Sequence, residues 1–297
     1  MAPRKLIVPK DGNKPRIETF LVSAVPGITE QRVRRLLAES RIRLRGKPLK
    51  LGRVLWGGEE LELELPPPNP VPRQEGPIIP VLHQDAELMI ANKPSGLVVE
   101  PSDGTPSLVR LMASQHTGWD VEGEALPGVV HRLDRETSGC LMLARTDDAV
   151  VMLKQAFEEK RIAKRYLALV LGAPPDEARL ETPYARNPQN SRLYTSRVPS
   201  PRKAILAFRV KQRFGDRTLL EVDLETGRTH QIRVQLADAG YPVLGDPLYG
   251  PVETRTHPAA VALGRLGLHA AALTLSLTDR QIVAEAPLPP DFAAACQ

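Results

Sequence analysis

In GVVHRLDRETSGCLMLART (128–146) one carboxylate, Asp134, stands between arginines, with Arg132 two residues before it and Arg135 directly after. The apolar run that follows Ser138-Gly139 reads as a buried strand, which puts Asp134 in a loop at the lip of a sheet. Loops carried by rigid elements are where chemistry ordinarily sits. A second stretch, LETGRTHQIRVQL (224–236), sets Arg228 and Arg233 beside Thr229 and His230. Taken singly, the first stretch is an ordinary surface ion pair and the second an ordinary amphipathic helix. Cys140 and Cys296 lack CxxC spacing and the six histidines are scattered, which fits a reducing compartment and gives no metal cluster. Neither GxGxxG nor GxxxxGK[ST] occurs, so no phosphate-cradling nucleotide cofactor is expected.

The elements that must hold these residues are mixed. PVLHQDAELMIANKP reads as two short strands around Asp85, DDAVVMLKQAFEE as a helix capped by Asp147 or Asp148, and RYLALVLG as another strand. TLLEVDLETG reads as a strand and turn, followed by a helix with Ile232, Leu236 and Ala239 on one face and Gly240 at its C′ position. Hairpin-like pairs outnumber βαβ units, so the expected fold class is α+β with a mixed, largely antiparallel central sheet flanked by helices.

Seven of the fifteen residues in PPPNPVPRQEGPIIP (66–80) are proline, a density that favours extended polyproline II and excludes a helix. An interdomain linker is expected over 66–78. Before it, Ile17, Phe20 and Leu21 keep i, i+3, i+4 spacing, and Val33, Leu36 and Leu37 repeat it in ITEQRVRRLLAES, so two short amphipathic helices are expected. Thr29 is the expected N-cap of the second, with Arg32 and Arg35 opposite the apolar stripe. RIRLRG and LELEL (61–65) alternate apolar with charged residues, the pattern of strands with one wet face.

The 297 residues suggest about two domains. The net charge of +5 divides unequally: residues 1–53 hold 14 basic and 4 acidic side chains, a net +10, leaving a net −5 for the other 244. Such asymmetry points to an anionic partner, nucleic acid or membrane surface. No run approaches ~18 apolar residues, so nothing spans a bilayer, and the N-terminus lacks the apolar stretch of a secretory signal.

The N-terminal order of helix, helix and strands, with RIRLRGKPLKLGRVLWGGEELELELP, resembles the S-four RNA-binding domain, a small α/β-type module, over residues 15–65. Downstream, NKPSGLVV (92–99), HRLDRETSG (131–139), KRYLALVLG (164–172), GRTHQIRVQL (227–236), GDPLYG (245–250), LHA (268–270) and APLPPDF (286–292) occur in the order of RluA-type pseudouridine synthases. That resemblance runs from about Ile79 to Phe292 and implies a catalytic domain over 79–297. Glu100 stands where the family often has histidine, and Val234-Gln235-Leu236 where VHM or VQM is common.

The family's reaction breaks the bond from ribose C1′ to uracil N1, turns the base, and joins C1′ to C5. The resemblance implies Asp134 as the catalytic aspartate, attacking either C1′ or the uracil ring, and Arg233 as the arginine that pairs with it. A cation within ~4–6 Å favours the ionised form that a carboxylate nucleophile needs. Tyr166 matches the active-site tyrosine that packs on the target base or removes the C5 proton; a free phenol, with pKa ~10, needs tuning for the second task. Arg132 matches the arginine that fills the gap left by a flipped-out base. Lys93 and His131 recur in the motifs as supporting residues of the RNA site.

Independently of the resemblance, residues 182–215 hold eight basic side chains and no acid: Arg186, Arg192, Arg197, Arg202, Lys203, Arg209, Lys211 and Arg213, with Tyr184 and Tyr194 interleaved. This reads as a phosphate-tracking surface with aromatics for base stacking. With Arg32, Arg35 and Arg43 of the N-terminal segment, Arg186 and Arg192 complete the expected RNA contacts.

The expected function is therefore a cofactor-independent pseudouridine synthase acting on structured RNA, large-subunit ribosomal RNA foremost and tRNA second. A cytoplasmic monomer with no obligate protein partner and no membrane contact is expected. The rivals are a non-catalytic RNA-binding or ribosome-assembly factor and an RNA N-glycosidase that releases uracil.

Overall fold

A computed structural model describes residues 3–26, 28–100 and 105–297. The chain begins with β1 (Arg4–Ile7), α1 (Ile17–Ala24), α2 (Glu30–Ala38), β2 (Ile42–Leu44), β3 (Lys47–Pro48) and β4 (Glu60–Leu63). The four strands form an antiparallel sheet in the order β1-β4-β2-β3. Ile17, Phe20 and Leu21 of α1 and Val33, Leu36 and Leu37 of α2 close on Ile42, Leu61 and Leu63, so the apolar spacing in each helix builds one small core. The Thr29 side chain accepts the Arg32 backbone N–H and caps α2, as its position implies. Strand β1 was not foreseen: it extends this unit ahead of residue 15, and with only Leu6 buried in Arg-Lys-Leu-Ile its pattern is too short to read.

The proline-rich stretch is strapped onto the rest of the chain. The Asn69 N–H donates to Gly123 O (2.8 Å) and Asn69 O accepts from Ala125 (2.9 Å). The Gln74 and Ile79 amides donate to the Ser114 and Gln115 side chains at 2.7 and 2.9 Å. Proline leaves few free N–H groups, and three of them, on Asn69, Gln74 and Ile79, are bonded to the neighbouring unit.

The larger unit holds β5 (Val81–Gln84), β6 (Leu88–Lys93), α3 (Leu108–Gln115), β7 (Gly128–Val129), β8 (Ser138–Ala144), α4 (Asp147–Glu158), β9 (Ile162–Leu171), β10 (Glu177–Pro183), β11 (Ala185–Arg186), β12 (Tyr194–Thr195), β13 (Lys203–Arg213), β14 (Arg217–Leu224), α5 (Gln231–Asp238), α6 (Glu253–Thr256), α7 (Pro258–Leu263), β15 (Leu268–Ser276), β16 (Gln281–Glu285) and α8 (Pro290–Ala295). Its central sheet runs β10-β13-β14-β9-β15-β8-β6-β5, with β16 on β15 and β7 on β8. The pairing of β8 with β15 is parallel and the others are antiparallel, which makes the sheet mixed and largely antiparallel as the sequence implies. Strands β11 and β12 form a separate small hairpin.

Helices cover both faces, so the central strands are apolar on both sides. Along β9, Tyr166, Ala168 and Val170 join Ile232 and Leu236 of α5, while Leu167 and Leu169 join Ala260 of α7 and Phe292 of α8. Along β8, Cys140, Met142 and Ala144 face Ala149, Val150 and Leu153 of α4. The cap of α4 is Thr146, whose side chain accepts the Ala149 N–H, and neither aspartate expected there. Asp147 lies one residue too late to fold back on that amide, and its carboxylate is engaged elsewhere.

That engagement joins the two units. Arg32 of α2 is buried, pairing with Asp147 and, at 3.0 Å, with Asp120. Arg35 donates to Glu122 O and pairs with Glu124 at 2.6 Å, and Thr29 donates to Glu122. The helix face expected to meet RNA through Arg32 and Arg35 therefore packs on the larger unit. Hydropathy spacing cannot tell a solvated cationic face from one whose carboxylates lie 90 residues away. Arg43 remains exposed, with its Nε on Ser40 O.

Candidate active site

Asp134 sits in the connection from β7 to β8, where the Thr137 N–H donates to Asp134 O at 3.1 Å and closes a turn. The turn is supported from the Asn92–Gly96 side. Lys93, wholly buried, donates to the carbonyls of Pro94, Leu97 and Arg135 at 2.8–2.9 Å, and Ser95 Oγ donates to Glu136 O at 2.7 Å. Burial pushes the Lys93 amine down to about 7, partly opposed by the nearby Glu136 and Asp134 charges. Beneath the turn, Gly139 has φ +110°, and a Cβ there would lie 2.1 Å from Ala270 O. Only glycine lets β15 approach β8 this closely in parallel register.

The opposite wall is α5 and the turn before it. Arg233, on the first turn of α5, donates through Nη1 to Asp134 Oδ2 at 3.0 Å. Its Nε and Nη2 donate to Oδ2 and Oδ1 of Asp246 at 2.8 and 2.9 Å. Asp246 is fully buried and also accepts the Leu248 and Tyr249 amides, so the GDPLYG loop is wound around this carboxylate. Burial alone would lower the Arg233 guanidinium, but Asp246 and then Asp134 more than reverse this and hold it protonated.

Tyr166 projects from β9 into the same cleft, which Arg132, Asp134, His230 and Arg233 also line and which encloses about 360 Å³ of empty space, its open mouth included. Burial, and after it the Asp134 charge, raises the Tyr166 phenol above its ordinary value. Its hydroxyl makes no hydrogen bond among the described residues. A phenol so raised packs on a base better than it removes a proton.

A sequence model described as RNA pseudouridylate synthase matches residues 87–238, just over half of the chain. The chain belongs to the RNA pseudouridine synthase family. A relative from Chloroflexus aurantiacus, named an uncharacterized RNA pseudouridine synthase, is 40% identical over 97% of this chain and 91% of its own length. One from Nitrosomonas europaea, named ribosomal large subunit pseudouridine synthase D, is 32% identical over 99% of this chain and 87% of its own. The human protein RNA pseudouridylate synthase domain containing 1 shares the fold, with a TM-score of 0.63 at 23% identity over 75% of this chain and 90% of that one. The protein is thus an RNA pseudouridine synthase, an isomerase, and as such its substrate is RNA.

Of the residues singled out by sequence, the synthase brings Asp134, Tyr166, Arg233 and Arg132 to one cleft, with Arg132 exposed at its rim. Lys93 lies wholly beneath the surface instead of meeting RNA, whereas His131 is half-buried and tied to the sheet through one ring nitrogen. The Met142 N–H donates to His131 Nε2 at 2.9 Å, the ring packs on Phe157 at 5.1 Å, and burial pushes its pKa down to about 3. Lys93 has all three N–H donors committed to carbonyls.

The segment 182–215 corrects its own reading. Its acids lie on neighbouring elements: Arg197 pairs with Asp238 (2.8 Å), Lys203 with Glu181 (2.6 Å), Arg213 with Asp176 (2.7 Å), and Arg209 and Lys211 with Glu221. Tyr184 is buried, its hydroxyl donating to Thr229 O, so it cannot stack on RNA. Arg186 and Arg192, on and beside the β11–β12 hairpin, have no carboxylate partner among the described residues, and Arg186 lies over the Tyr194 ring at 5.1 Å.

Sequence reasoning missed Asp246, His230 and Tyr249 as members of the site. The signal for Asp246 was available, because a buried arginine holding one carboxylate through one nitrogen demands a second acceptor. Gln235 of the Val234-Gln235-Leu236 stretch also finds a place: its Nε2 donates to Thr182 Oγ1 and Ala204 O at 2.9 and 3.1 Å, pinning α5 to β10 and β13.

Proposed function

We propose that this synthase converts specific uridines of structured RNA, large-subunit ribosomal RNA foremost and tRNA second, with Asp134 as nucleophile on a flipped-out nucleotide. The observation that carries the reading is a half-buried carboxylate in an open cleft that Tyr166 also lines, with one of its oxygens held by Arg233. The C1′–N1 bond breaks, the uracil turns within the cleft, and C1′ bonds to C5. The C5 proton leaves as N1 gains one, so the reaction is redox-neutral and calls for no cofactor. A carboxylate attacking an anomeric carbon is the chemistry of retaining glycosidases, and only the caging of the free base keeps the outcome from hydrolysis. Tyr166 packs on the uracil and Arg132 fills the vacated stack.

The full-length relationship to a ribosomal large subunit enzyme supports the choice of RNA. The N-terminal unit, read as an S-four RNA-binding domain over residues 15–65 with β1 added, then anchors the substrate for a catalytic domain spanning 79–297, and residues 66–78 strap the two together. On this reading the enzyme acts as a cytoplasmic monomer.

Unmodified large-subunit ribosomal RNA incubated with the protein, then labelled chemically for pseudouridine and read by primer extension, tests the reading. Wild-type product that Asp134→Ala abolishes supports it. Abasic RNA means glycosidase, binding without product means an assembly factor, and product from Asp134→Ala removes Asp134 as nucleophile.

A further inference from the structure

His230 stands in the cleft without a task in the steps above, and its backbone is in an unusual state. It is the N-cap residue of α5 with φ 58° and ψ 19°, a left-handed conformation disfavoured for a residue with a Cβ, yet its side chain makes no capping bond. The imidazole is used otherwise. Nδ1 lies 2.9 Å from the Tyr249 hydroxyl, and Nε2 lies 3.8 Å from Asp134 Oδ1, the oxygen that Arg233 leaves free.

The hydrogen bonds around Tyr249 select the tautomer. Its hydroxyl oxygen accepts the Tyr194 N–H at 3.2 Å, and its one proton then lies toward His230 Nδ1. With Nδ1 an acceptor, the ring proton resides on Nε2 and faces Asp134. Tyr249 is itself anchored, its backbone N–H on Asp246 Oδ1 at 3.2 Å and its ring 5.2 Å from the Arg233 guanidinium carbon. Asp246 therefore reaches both oxygens of Asp134, one through Arg233 and one through Tyr249 and His230. The charged groups facing His230 are Asp134, Arg233, Asp246 and Arg132; burial, more than any of them, lowers its pKa and keeps it neutral.

We infer that His230 is a positioning residue for the reaction, a neutral donor whose tautomer Tyr249 fixes and whose Nε2–H orients the free oxygen of Asp134 toward the bound nucleotide. The inference rests on Asp134 being the nucleophile. Catalytic hydrogen bonds are often long before substrate closes the site, and 3.8 Å is within reach of that tightening. A carboxylate oxygen has two acceptor directions, so one can meet Nε2–H while the other meets the substrate. A neutral donor orients the nucleophile without adding a second positive charge that would hold its electrons back.

The test is steady-state kinetics on unmodified RNA for His230→Ala, His230→Gln, Tyr249→Phe and the His230→Ala/Tyr249→Phe double variant, with Asp134→Ala alongside and melting temperatures for all. His230→Ala is expected to lower kcat about tenfold or more with KM within about twofold, as loss of a donor to a charged group implies. His230→Gln, whose amide N–H reaches the same space, restores most of it. Tyr249→Phe removes only a hydroxyl, lowers kcat less, and has no further effect once His230 is alanine. A dead Asp134→Ala with an unaffected His230→Ala, a change in KM alone, or a glutamine variant as poor as alanine each overturns this inference by itself. Full product from Asp134→Ala overturns the nucleophile reading and this inference with it.

Discussion

Asp246 grips Arg233 through two of its nitrogens and leaves only Nη1, at 3.0 Å, for Asp134. A planar guanidinium can divide itself between two carboxylates in this way and an ammonium cannot. The buried Asp246 thus sets the direction from which Asp134 is held, although it never reaches the cleft.

Asp246→Ala leaves a buried guanidinium without its main partner, and broken buried pairs cost about 3–5 kcal/mol. Chemical denaturation is expected to register a loss of that size, and pseudouridine formation to fall with it. Arg233→Lys is expected to fold yet lose about tenfold or more in kcat, because one amine cannot reach both carboxylates in the geometry given. A lysine variant with unchanged kcat would contradict the division of labour.

Arg32→Ala strips a cation from Asp147 at the junction of the two units. Inside a rigid core the cost would resemble that of Asp246→Ala. Here the N-terminal unit can swing away and admit water to Asp147, so undocking is the expected result. Cleavage within residues 66–78 by an added protease, and exchange of the Glu122 amide that donates to Asp147 Oδ1 at 2.8 Å, are both expected to accelerate about tenfold or more, with the larger unit's melting unchanged. Protection of that amide at the wild-type level would count against the clamp.

The same pair marks the boundary of what the sequence discloses. Strand and helix periods were legible because burial is local: Ser138–Ala144 is apolar at nearly every position, and the two N-terminal helices carry i, i+3, i+4 stripes. Asp134, Tyr166 and Arg233 were legible because ordered motifs accompany them. Arg32, Glu221 and Asp246 were not, since an ion pair depends on which surfaces meet, and segments far apart in the chain decide that. The acid-free run of 182–215 illustrates the point, its carboxylates arriving from β10, β14 and α5. His131 was legible as a supporting residue because it recurs in the family motifs, but the strand hydrogen bond it accepts has no signature in the sequence.

His131 predicts an acid-sensitive step. Its pKa falls from an ordinary 6.5 to about 3 on folding, so between those values the unfolded chain binds more protons and stability rises with pH. The contribution is fully present above about pH 6.5 and is lost as pH falls toward 3, where protonation would also break the bond from the Met142 N–H. Melting temperatures measured from pH 7.5 down to pH 4 are expected to fall less steeply for His131→Gln than for wild type. Parallel curves would mean that other groups govern the acid limb.

The β11–β12 hairpin offers the sharpest separation of paired from unpaired charge. Arg186 and Arg192 have no carboxylate partner among the described residues, whereas Arg209 and Arg213 are bound to Glu221 and Asp176. A cation that meets a phosphate releases counterions and steepens the dependence of affinity on salt; one already paired with a carboxylate does so only by giving up its partner. Replacing Arg186 and Arg192 together with glutamine is expected to reduce the slope of log K against log salt by about one to two units. The same change at Arg209 and Arg213 is expected to leave it nearly unaltered. Equal slopes for both double variants would mean that the strand arginines exchange carboxylate for phosphate on binding, and would return the basic segment as a whole to the RNA surface.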